Sequence, residues 1–360
     1  MSIAVFGGYG TFGSLVARAL DQAGLAVRIL GRNGERARAF AARLGARHEG
    51  AAADATDPAA CRRALEGMRV AVSCAGPFHA LGLALPEACL AAGAHYVDIA
   101  DDRTWFARLR RLDGRFRDAG LAAAVGCSSL PGISGALALL AAEAIPEVRA
   151  ARVTLFIGNR NPKGDAAVRA AAAQLGRPFA APQGTLRGYQ GREVVRLPPP
   201  FGARAVYDVD SPELDLFPAL IGAREVRVKV GFEARMATAS IAALAHLGPR
   251  WGGALTRAML PIARPLSRFG HSGGFVQVEL WGADGASVAS LGSGREGQRM
   301  AALPAAFAAE EMLREAAGPR GVLTAWEVLG ARPLLAKLES AGYELREELT
   351  APRLLPVAAP

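Results

Sequence analysis

Three glycines near the start of the chain have the spacing of a phosphate-binding loop. Gly8, Gly10 and Gly13 follow the apolar run Ile3 to Phe6 and open a segment with a helical pattern. Glycines so placed allow a tight turn, let a pyrophosphate approach the backbone and let the helix pack closely on the strand. The N-terminus of the helix adds unpaired N–H groups and a positive dipole end. The stretch therefore predicts dinucleotide binding, whereas a merely structural glycine turn is the alternative.

The end of the second predicted strand indicates which dinucleotide is bound. The apolar run Ala26 to Leu30 is followed by Gly31, Arg32 and Asn33. An NAD site places Asp or Glu at this point, roughly 20 residues after the glycines, to bind the ribose 2′-OH. Arg32 has instead a planar guanidinium that suits a 2′-phosphate. We therefore expect NADP, and the alternative is a surface arginine without this role.

The loop after the fourth predicted strand is expected to face the same ligand. Ala75, Gly76 and Pro77 follow the strand Val70 to Ser73. In a doubly wound sheet, the loops at the carboxyl ends of central strands line the ligand crevice. We expect these three residues beside the pyrophosphate or the nicotinamide ribose, with an ordinary strand-to-helix turn as the alternative.

Three side chains at the same side of the predicted sheet could move a proton. His79, Asp101 and Asp102 all follow predicted strands, and a histidine or carboxylate there could protonate a substrate after hydride delivery. Their other interpretations are a helix-starting histidine and an N-cap aspartate pair. No lysine has a tyrosine four residues before it, so the tyrosine–lysine chemistry of short-chain dehydrogenases is rejected. The scattered histidines predict no metal site.

Strands and helices alternate through the first part of the chain and then give way to a different pattern. The alternation predicts a parallel, doubly wound Rossmann-type α/β sheet at residues 1–130. Beyond it, β-branched and alternating runs predict an α+β substrate or dimerisation domain with a mostly antiparallel sheet at 131–318. Residues 319–350 are expected to pack back against the first domain.

Composition excludes several classes of protein. The net charge is +9, but the basic residues are dispersed arginines without interleaved aromatics, so we expect no nucleic-acid partner. Four cysteines without a CxxC spacing predict reduced thiols in the cytoplasm, and no signal peptide precedes the first strand.

The uncharged stretch Leu121 to Ala142 is broken by Gly126 to Gly132 and predicts a buried strand and helix. The apolar segment Ser240 to Leu266 could cap the active site, form a dimer interface or, less favoured, lie on a membrane surface.

Several motifs together resemble those of the saccharopine dehydrogenase-like NADP-binding proteins, in particular the broad bacterial branch with trans-acting enoyl reductase-like members. The motifs are Gly7-Gly-Tyr-Gly-Thr-Phe-Gly13, Gly31-Arg32, Ser73-Cys-Ala-Gly-Pro-Phe78, Ala94-His-Tyr-Val-Asp-Ile99, Gly126-x-x-x-x-Pro131-Gly132 and the tail Gly321-Val-Leu-Thr with Gly342-Tyr. The resemblance implies an NADP(H)-dependent oxidoreductase, a Rossmann domain completed by the C-terminal segment, and a homodimer.

The resemblance also implies roles for single residues. It places Thr11 and Phe12 with the three glycines at the pyrophosphate, Arg32 at the 2′-phosphate and Asp54 near the adenine. Ala100 and Asp101 depart from the Gly-Glu that many relatives have there. We therefore predict a reductase acting on a C=N or polarised C=C bond of a small molecule. The alternative is a catalytically silent NADP-binding sensor or membrane-associated interaction protein.

Overall fold

The computed structural model describes residues 2–162, 165–246, 269–283, 285–314 and 318–350. The chain divides into two compact units. The first unit comprises Met1–Ile133 and Ala301–Leu334, and the second comprises Ser134–Met300 and Leu335–Pro360. Neither unit is one continuous stretch of sequence.

The first unit contains a parallel sheet of seven strands in the order β3-β2-β1-β4-β5-β6-β15. Its strands are β1 (Ile3–Phe6), β2 (Val27–Gly31), β3 (Glu49–Ala52), β4 (Val70–Ser73), β5 (His95–Asp98), β6 (Ala122–Val125) and β15 (Gly321–Thr324). Every residue of β1, β4 and β6 is buried, as expected for a parallel sheet covered on both faces. The strand order reverses between β1 and β4, which is where a doubly wound sheet binds its ligand. The predicted fold class is confirmed.

Helices connect these strands. They are α1 (Thr11–Gln22), α2 (Gly34–Leu44), α3 (Pro58–Ala64), α4 (Ala84–Ala92), α5 (Arg103–Arg110), α6 (Asp113–Asp118) and α12 (Ala325–Leu329). The residue pattern from Thr104 to Ala119 predicts a single helix, and this prediction is wrong, because the chain breaks between α5 and α6. The break buries Leu112 and brings the Asp113 carboxylate within 2.8 Å of the backbone N–H of Val322 in β15.

The second unit contains a mixed sheet of seven strands in the order β10-β11-β12-β7-β13-β14-β16. Its strands are β7 (Ala150–Ile157), β10 (Glu193–Leu197), β11 (Gly202–Asp208), β12 (Glu225–Phe232), β13 (Gly274–Trp281), β14 (Ala286–Ser293) and β16 (Glu344–Thr350). Within this sheet β7 and β12 pair in parallel and the other neighbours are antiparallel. The prediction of a mostly antiparallel sheet is confirmed. A separate hairpin is formed by β8 (Pro178–Ala181) and β9 (Gly184–Arg187).

The remaining helices are numbered in the same way, in chain order. They are α7 (Ser134–Ala142), α8 (Asp165–Gln174), α9 (Glu213–Ile221), α10 (Arg235–His246), α11 (Gly297–Arg314) and α13 (Ala331–Ser340). α7 is buried along nearly all its length and packs on β13 and β14. The uncharged stretch Leu121 to Ala142 thus contains the predicted buried strand and helix.

The C-terminal tail is divided between the two sheets. β15 pairs with β6 in the first sheet, whereas β16 pairs with β14 in the second. The prediction that residues 319–350 pack as a whole on the first domain is therefore wrong from Leu335 onwards. The alternating residues of β16 extend the antiparallel ladder of the second sheet, with Leu345 opposite Leu291.

The described residues contain no helix that is both long and apolar enough to cross a bilayer. They also contain no cluster of three or more potential metal-ligating side chains. Of the apolar segment Ser240 to Leu266, the first part forms the end of α10, and residues 247–266 lie outside the described residues.

Candidate functional site

The glycine loop between β1 and α1 is built so closely that side chains are excluded from it. Gly10 is the residue before α1, and its N–H donates to the carbonyl of Gly7 at 2.9 Å. A Cβ on Gly13 would lie 2.2 Å from that same carbonyl oxygen, and one on Gly8 would lie 2.8 Å from the carbonyl oxygen of Val5. The turn and the first helical residues therefore share space that only glycine leaves open.

The left-handed position of this turn is Gly7 rather than Gly8. Gly7 has a φ of +70°, where a residue with a Cβ is strained. A Cβ on Gly7 would also lie 2.9 Å from the carbonyl carbon of Cys74. The loops after β1 and β4 thus touch directly at the reversal of strand order, and Ala75 lies beside the glycine loop.

The N-terminus of α1 has the features that a pyrophosphate requires. Gly10 supplies no capping side chain, so the first N–H groups of this helix, at Thr11 and Phe12, keep no side-chain acceptor. A Cβ on Gly10 would meet only the Gly7 carbonyl oxygen, at 3.0 Å, so its outer face is open. Unpaired N–H groups, an open glycine and the helix dipole fit an anionic diphosphate.

Tyr9, in the middle of the glycine loop, reaches across to the end of β2. A Cβ on Gly31 would lie 2.4 Å from the Tyr9 ring, so glycine is required for the ring to pack there. The Tyr9 hydroxyl accepts a hydrogen bond from the backbone N–H of Asn33 at 3.0 Å. The Arg36 guanidinium lies over the ring, 4.8 Å from its centroid. Tyr9 thereby joins the phosphate loop to the start of α2.

Arg32 is exposed between β2 and α2. Asn33 follows it and caps α2 by accepting from the N–H of Arg36 at 2.9 Å. Asp54 lies after β3, where hydrogen bonds from the backbone and hydroxyl of Thr56, with a smaller contribution from the charge of Arg32, lower the pKa of its carboxyl. Arg32 forms no ion pair within the described part of the chain. Its charge is therefore available to a ligand phosphate.

An arginine of α5 contacts the loop after β4. His79 is exposed in the short 3-10 turn Phe78–Ala80. From α5, Arg108 donates hydrogen bonds to the carbonyl oxygens of Leu81 at 2.6 Å and Phe78 at 3.2 Å. Arg108 therefore helps to hold the loop that carries His79.

The two candidate aspartates have different roles. Asp102 caps α5, accepting from the N–H of Trp105 at 2.8 Å and from the hydroxyl of Thr104 at 2.5 Å. Asp101 keeps an exposed surface. Desolvation and the charge of Asp102 raise the pKa of its carboxyl, and a positive charge on the nearby His79 opposes that rise. Asp101 and His79 therefore stay the candidates for proton transfer, whereas the Asp102 carboxylate is already used to cap the helix.

Asp98, at the end of β5, is a buried acceptor that organises the loops around it. Its carboxylate accepts from the backbone N–H groups of Gly126 at 2.8 Å and Ala100 at 3.0 Å, and from the Trp105 indole at 2.6 Å. Desolvation raises the pKa of Asp98 to about 6, although these hydrogen bonds act in the opposite direction. Trp105 in turn packs against Phe78 with ring centroids 5.5 Å apart. Asp98 thus links the ends of β5 and β6 to the loop that carries His79.

Comparison with known families assigns the first unit. Residues 3–123 match the family described as the saccharopine dehydrogenase NADP binding domain. The chain carries a saccharopine dehydrogenase-like NADP-binding domain. It is accordingly an NADP-dependent oxidoreductase, and the predicted cofactor and the predicted NADP-binding domain are confirmed. No curated protein sequence matches the chain.

The similar solved structures have low sequence identity, and the first of them shows the same fold over nearly the whole chain. Saccharopine dehydrogenase (L-Glu forming) from Saccharomyces cerevisiae has 13% identity and a TM-score of 0.68, covering 97% of this chain and 100% of that chain. The 3-hydroxyacyl-CoA dehydrogenase type-2 from Mycobacterium avium has 19% identity and a TM-score of 0.29, covering 34% of this chain and 71% of that one. The RhlG/NADP complex from Pseudomonas aeruginosa has 20% identity and a TM-score of 0.28, covering 34% and 69%.

The saccharopine dehydrogenase-like domain brings together most of the residues predicted for the cofactor. The three glycines, Thr11, Phe12 and Ala75 lie around the loop after β1, with Gly76 and Pro77 continuing the loop after β4; Arg32, Asn33 and Asp54 lie around the ends of β2 and β3. The residue pattern alone does not point to Tyr9, Arg36, Asp98 or Arg108. An aromatic residue inside a glycine loop is a signal that could have revealed Tyr9, but nothing local marks Asp98 or Arg108.

Proposed function

We propose that the protein is a reductase that uses NADPH to reduce a C=N or polarised C=C bond of a small molecule. The observation that carries this proposal is the NADP-binding domain matched at residues 3–123, and Asp101 and His79 are the candidate proton donors. When bound, NADPH supplies the hydride. The residues of this chain bind it, orient it and provide a proton.

The state of two cysteines beside the site argues against a cysteine nucleophile and is consistent with hydride transfer. Burial raises the pKa of the Cys74 and Cys127 thiols, so neither is held as the thiolate that nucleophilic catalysis needs. Hydride transfer needs no covalent nucleophile on the protein.

Recognition of the 2′-phosphate is proposed to depend on Arg32, with Arg36 and Tyr9 beside it. The guanidinium of Arg32 has no ion-pair partner among the described residues and lies where the second strand ends. A 2′-phosphate there would form charge-assisted hydrogen bonds, each contributing about 1.5–3 kcal/mol. NADH, which lacks this phosphate, would not gain that energy.

The test is a pair of thermal-shift titrations, with NADPH and with NADH, on the wild type, Arg32→Ala and the exposed control Arg63→Ala. We expect Arg32→Ala to weaken NADPH binding roughly 10- to 100-fold and to leave NADH binding nearly unchanged. Equal losses for both nucleotides would refute the 2′-phosphate role. The control should behave as the wild type.

Turnover is tested separately, by following NADPH absorbance with imines and with enoyl compounds. Tight NADPH binding without any oxidation across both substrate classes would contradict the reductase and favour the catalytically silent sensor. A homodimer, a cytoplasmic location and the membership of an enoyl reductase-like branch stay predictions.

A further inference from the structure

Four strands of the second sheet bring polar side chains to one edge. Asn159 and Glu233 follow β7 and β12, which run in parallel, so both lie at carboxyl ends of neighbouring strands. His271 precedes β13 and Arg204 lies early in β11, and both of these strands are antiparallel to their neighbours. In parallel α/β sheets the carboxyl ends of the strands are the usual place for a ligand, and β7 and β12 are the one parallel pair among the described strands of this sheet.

A carboxylate fixes the orientation of the histidine at this edge. Glu233 accepts from the ring Nδ1 of His271 at 2.6 Å and from the backbone N–H of the same residue at 2.7 Å. It also accepts from the backbone N–H of Asn159 at 2.9 Å. These hydrogen bonds outweigh desolvation and lower the pKa of Glu233. Because Nδ1 is taken, Nε2 is the ring atom left to bind another molecule.

The surroundings of this dyad are closely packed, yet the imidazole stays accessible. A Cβ on Gly270 would lie 2.5 Å from a carboxylate oxygen of Glu233. The ring of Phe201 packs edge-on against the imidazole, with centroids 5.4 Å apart. The side chain of His271 is nevertheless 47% exposed, against 13% for Glu233. An imidazole that is held in one orientation and is still exposed can bind a ligand, which a histidine buried in the core cannot do.

Two arginines beside the dyad carry charge that the described residues do not balance. Arg204 is partly buried, its Nε is a buried atom without a hydrogen-bond partner, and it lies close enough to Arg235 for the two charges to repel. Arg235 is exposed at the start of α10 and forms no ion pair within the described ranges. Since Glu233 is the acidic group they share, the two guanidinium groups exceed it by one positive charge.

We propose that this edge of the second sheet is a binding site for a small organic carboxylate. Arg204 and Arg235 bind the carboxylate, and His271, held by Glu233, presents Nε2 to a polar group of the same molecule. A monoanion matches the single excess charge, whereas a phosphate dianion would exceed it. Two exposed apolar side chains adjoin the cluster along the chain, Met236 at 85% and Phe269 at 73% exposure, so an apolar carbon chain on the carboxylate is expected.

The experiment is a calorimetric titration of the whole protein with hexanoate, alongside hexyl phosphate and hexylamine. We expect hexanoate to bind and hexylamine not to bind. Arg204→Gln and Arg235→Gln should each weaken hexanoate binding about tenfold or more, because each removes a charge-assisted contact. The matched control is Arg224→Gln, an exposed arginine at the opposite end of β12, which should bind as the wild type does.

Several outcomes would overturn the proposal. They are the absence of hexanoate binding to the wild type, preference for hexyl phosphate, or equal losses in Arg204→Gln and Arg224→Gln. If a variant fails to fold, the NMR signals of His271 in the wild type decide, since hexanoate should shift them and leave those of the buried His48 unchanged. The titration contains no NADPH, so its failure is distinct from failure of the proposed reductase.

Discussion

The binding edges of the two sheets are made in opposite ways. The edge of the first sheet is made of backbone: Gly7, Gly10 and Gly13 carry no side chains, which leaves backbone N–H groups open to an anion. The edge of the second sheet is made of side chains, in which His271, Glu233 and two arginines supply the charge. The glycine loop of the first sheet is formed by a few residues that are neighbours in the sequence, and it has no room for added side-chain atoms. The second is assembled from distant segments and depends on charge rather than on empty space.

The largest loss of NADPH affinity is expected from adding one methyl group to the glycine loop after β1. Gly13→Ala would place a Cβ 2.2 Å from the Gly7 carbonyl oxygen, so the turn must shift. We expect NADPH affinity to fall about 100-fold, equivalent to about 3 kcal/mol. Fluorescence titration with NADPH measures this loss.

The matched control for that substitution is Gly82→Ala in the same unit. A Cβ there would meet nothing within 4 Å, so NADPH binding should be unchanged. Unchanged binding in Gly13→Ala as well would contradict the claim that the loop must be free of side chains.

A second prediction concerns the buried carboxylate that connects loops at the first edge. The pKa of Asp98 rises from 3.8 in the unfolded chain to about 6 in the folded protein, so the folded state keeps a proton that the unfolded chain releases. Its stabilising contribution is therefore present below a pH of about 4 and is lost as the pH rises through about 6. The difference corresponds to about 3 kcal/mol.

Urea unfolding of wild type and Asp98→Asn across this pH range tests the prediction. The variant should lose this component of the pH dependence, since asparagine does not ionise. The exposed control Glu66→Gln should keep it. Identical profiles for the wild type and Asp98→Asn would show that another group is responsible.

Intermediate losses of stability and of hexanoate affinity are expected from adding a methyl group beside the His271–Glu233 dyad of the second sheet. Gly270 has a φ of +93°, and a Cβ there would lie 2.5 Å from Glu233, so Gly270→Ala combines strain with displacement of the carboxylate. We expect a stability loss of about 1–2 kcal/mol and roughly fivefold weaker hexanoate binding, measured by calorimetry.

Gly222→Ala separates the two contributions to that effect. Gly222 also has a positive φ, +75°, but a Cβ there would meet nothing within 4 Å. It should therefore show the loss of stability without the loss of hexanoate binding. If both variants lost binding equally, contact with Glu233 would not be the cause.

The smallest effect is expected at the rim of the cofactor site. Arg36 lies over the Tyr9 ring, and an exposed cation–π contact contributes about 0.5–1 kcal/mol. Arg36→Gln should therefore weaken NADPH binding roughly two- to fivefold in the same fluorescence titration. Arg18→Gln is its control, because Arg18 lies over Phe40 in a similar way, 5.6 Å from the ring centroid, yet belongs to no predicted site. A larger effect for the control would contradict the role given to Arg36.

The same contrast explains why the first site could be predicted from the sequence and the second could not. The first sheet was predictable because its signals are local: an apolar strand, glycines at fixed spacing, and Arg32 at the end of the next strand. The His271–Glu233 dyad was not, because its members are separated by many residues and are joined only by strand pairing. The break between α5 and α6 was missed for a similar reason. Asp113 turns there to meet β15, a strand that comes much later in the chain.

The position of β15 has a consequence for how this protein is synthesised. The seventh strand of the first sheet leaves the ribosome only after the whole of Ser134–Met300. Until then the outer edge of β6 has unpaired backbone groups, and such an edge can pair with a second nascent chain. Completion of the nucleotide-binding unit must therefore wait for the end of translation. A fragment that stops near residue 130 would keep that open edge permanently.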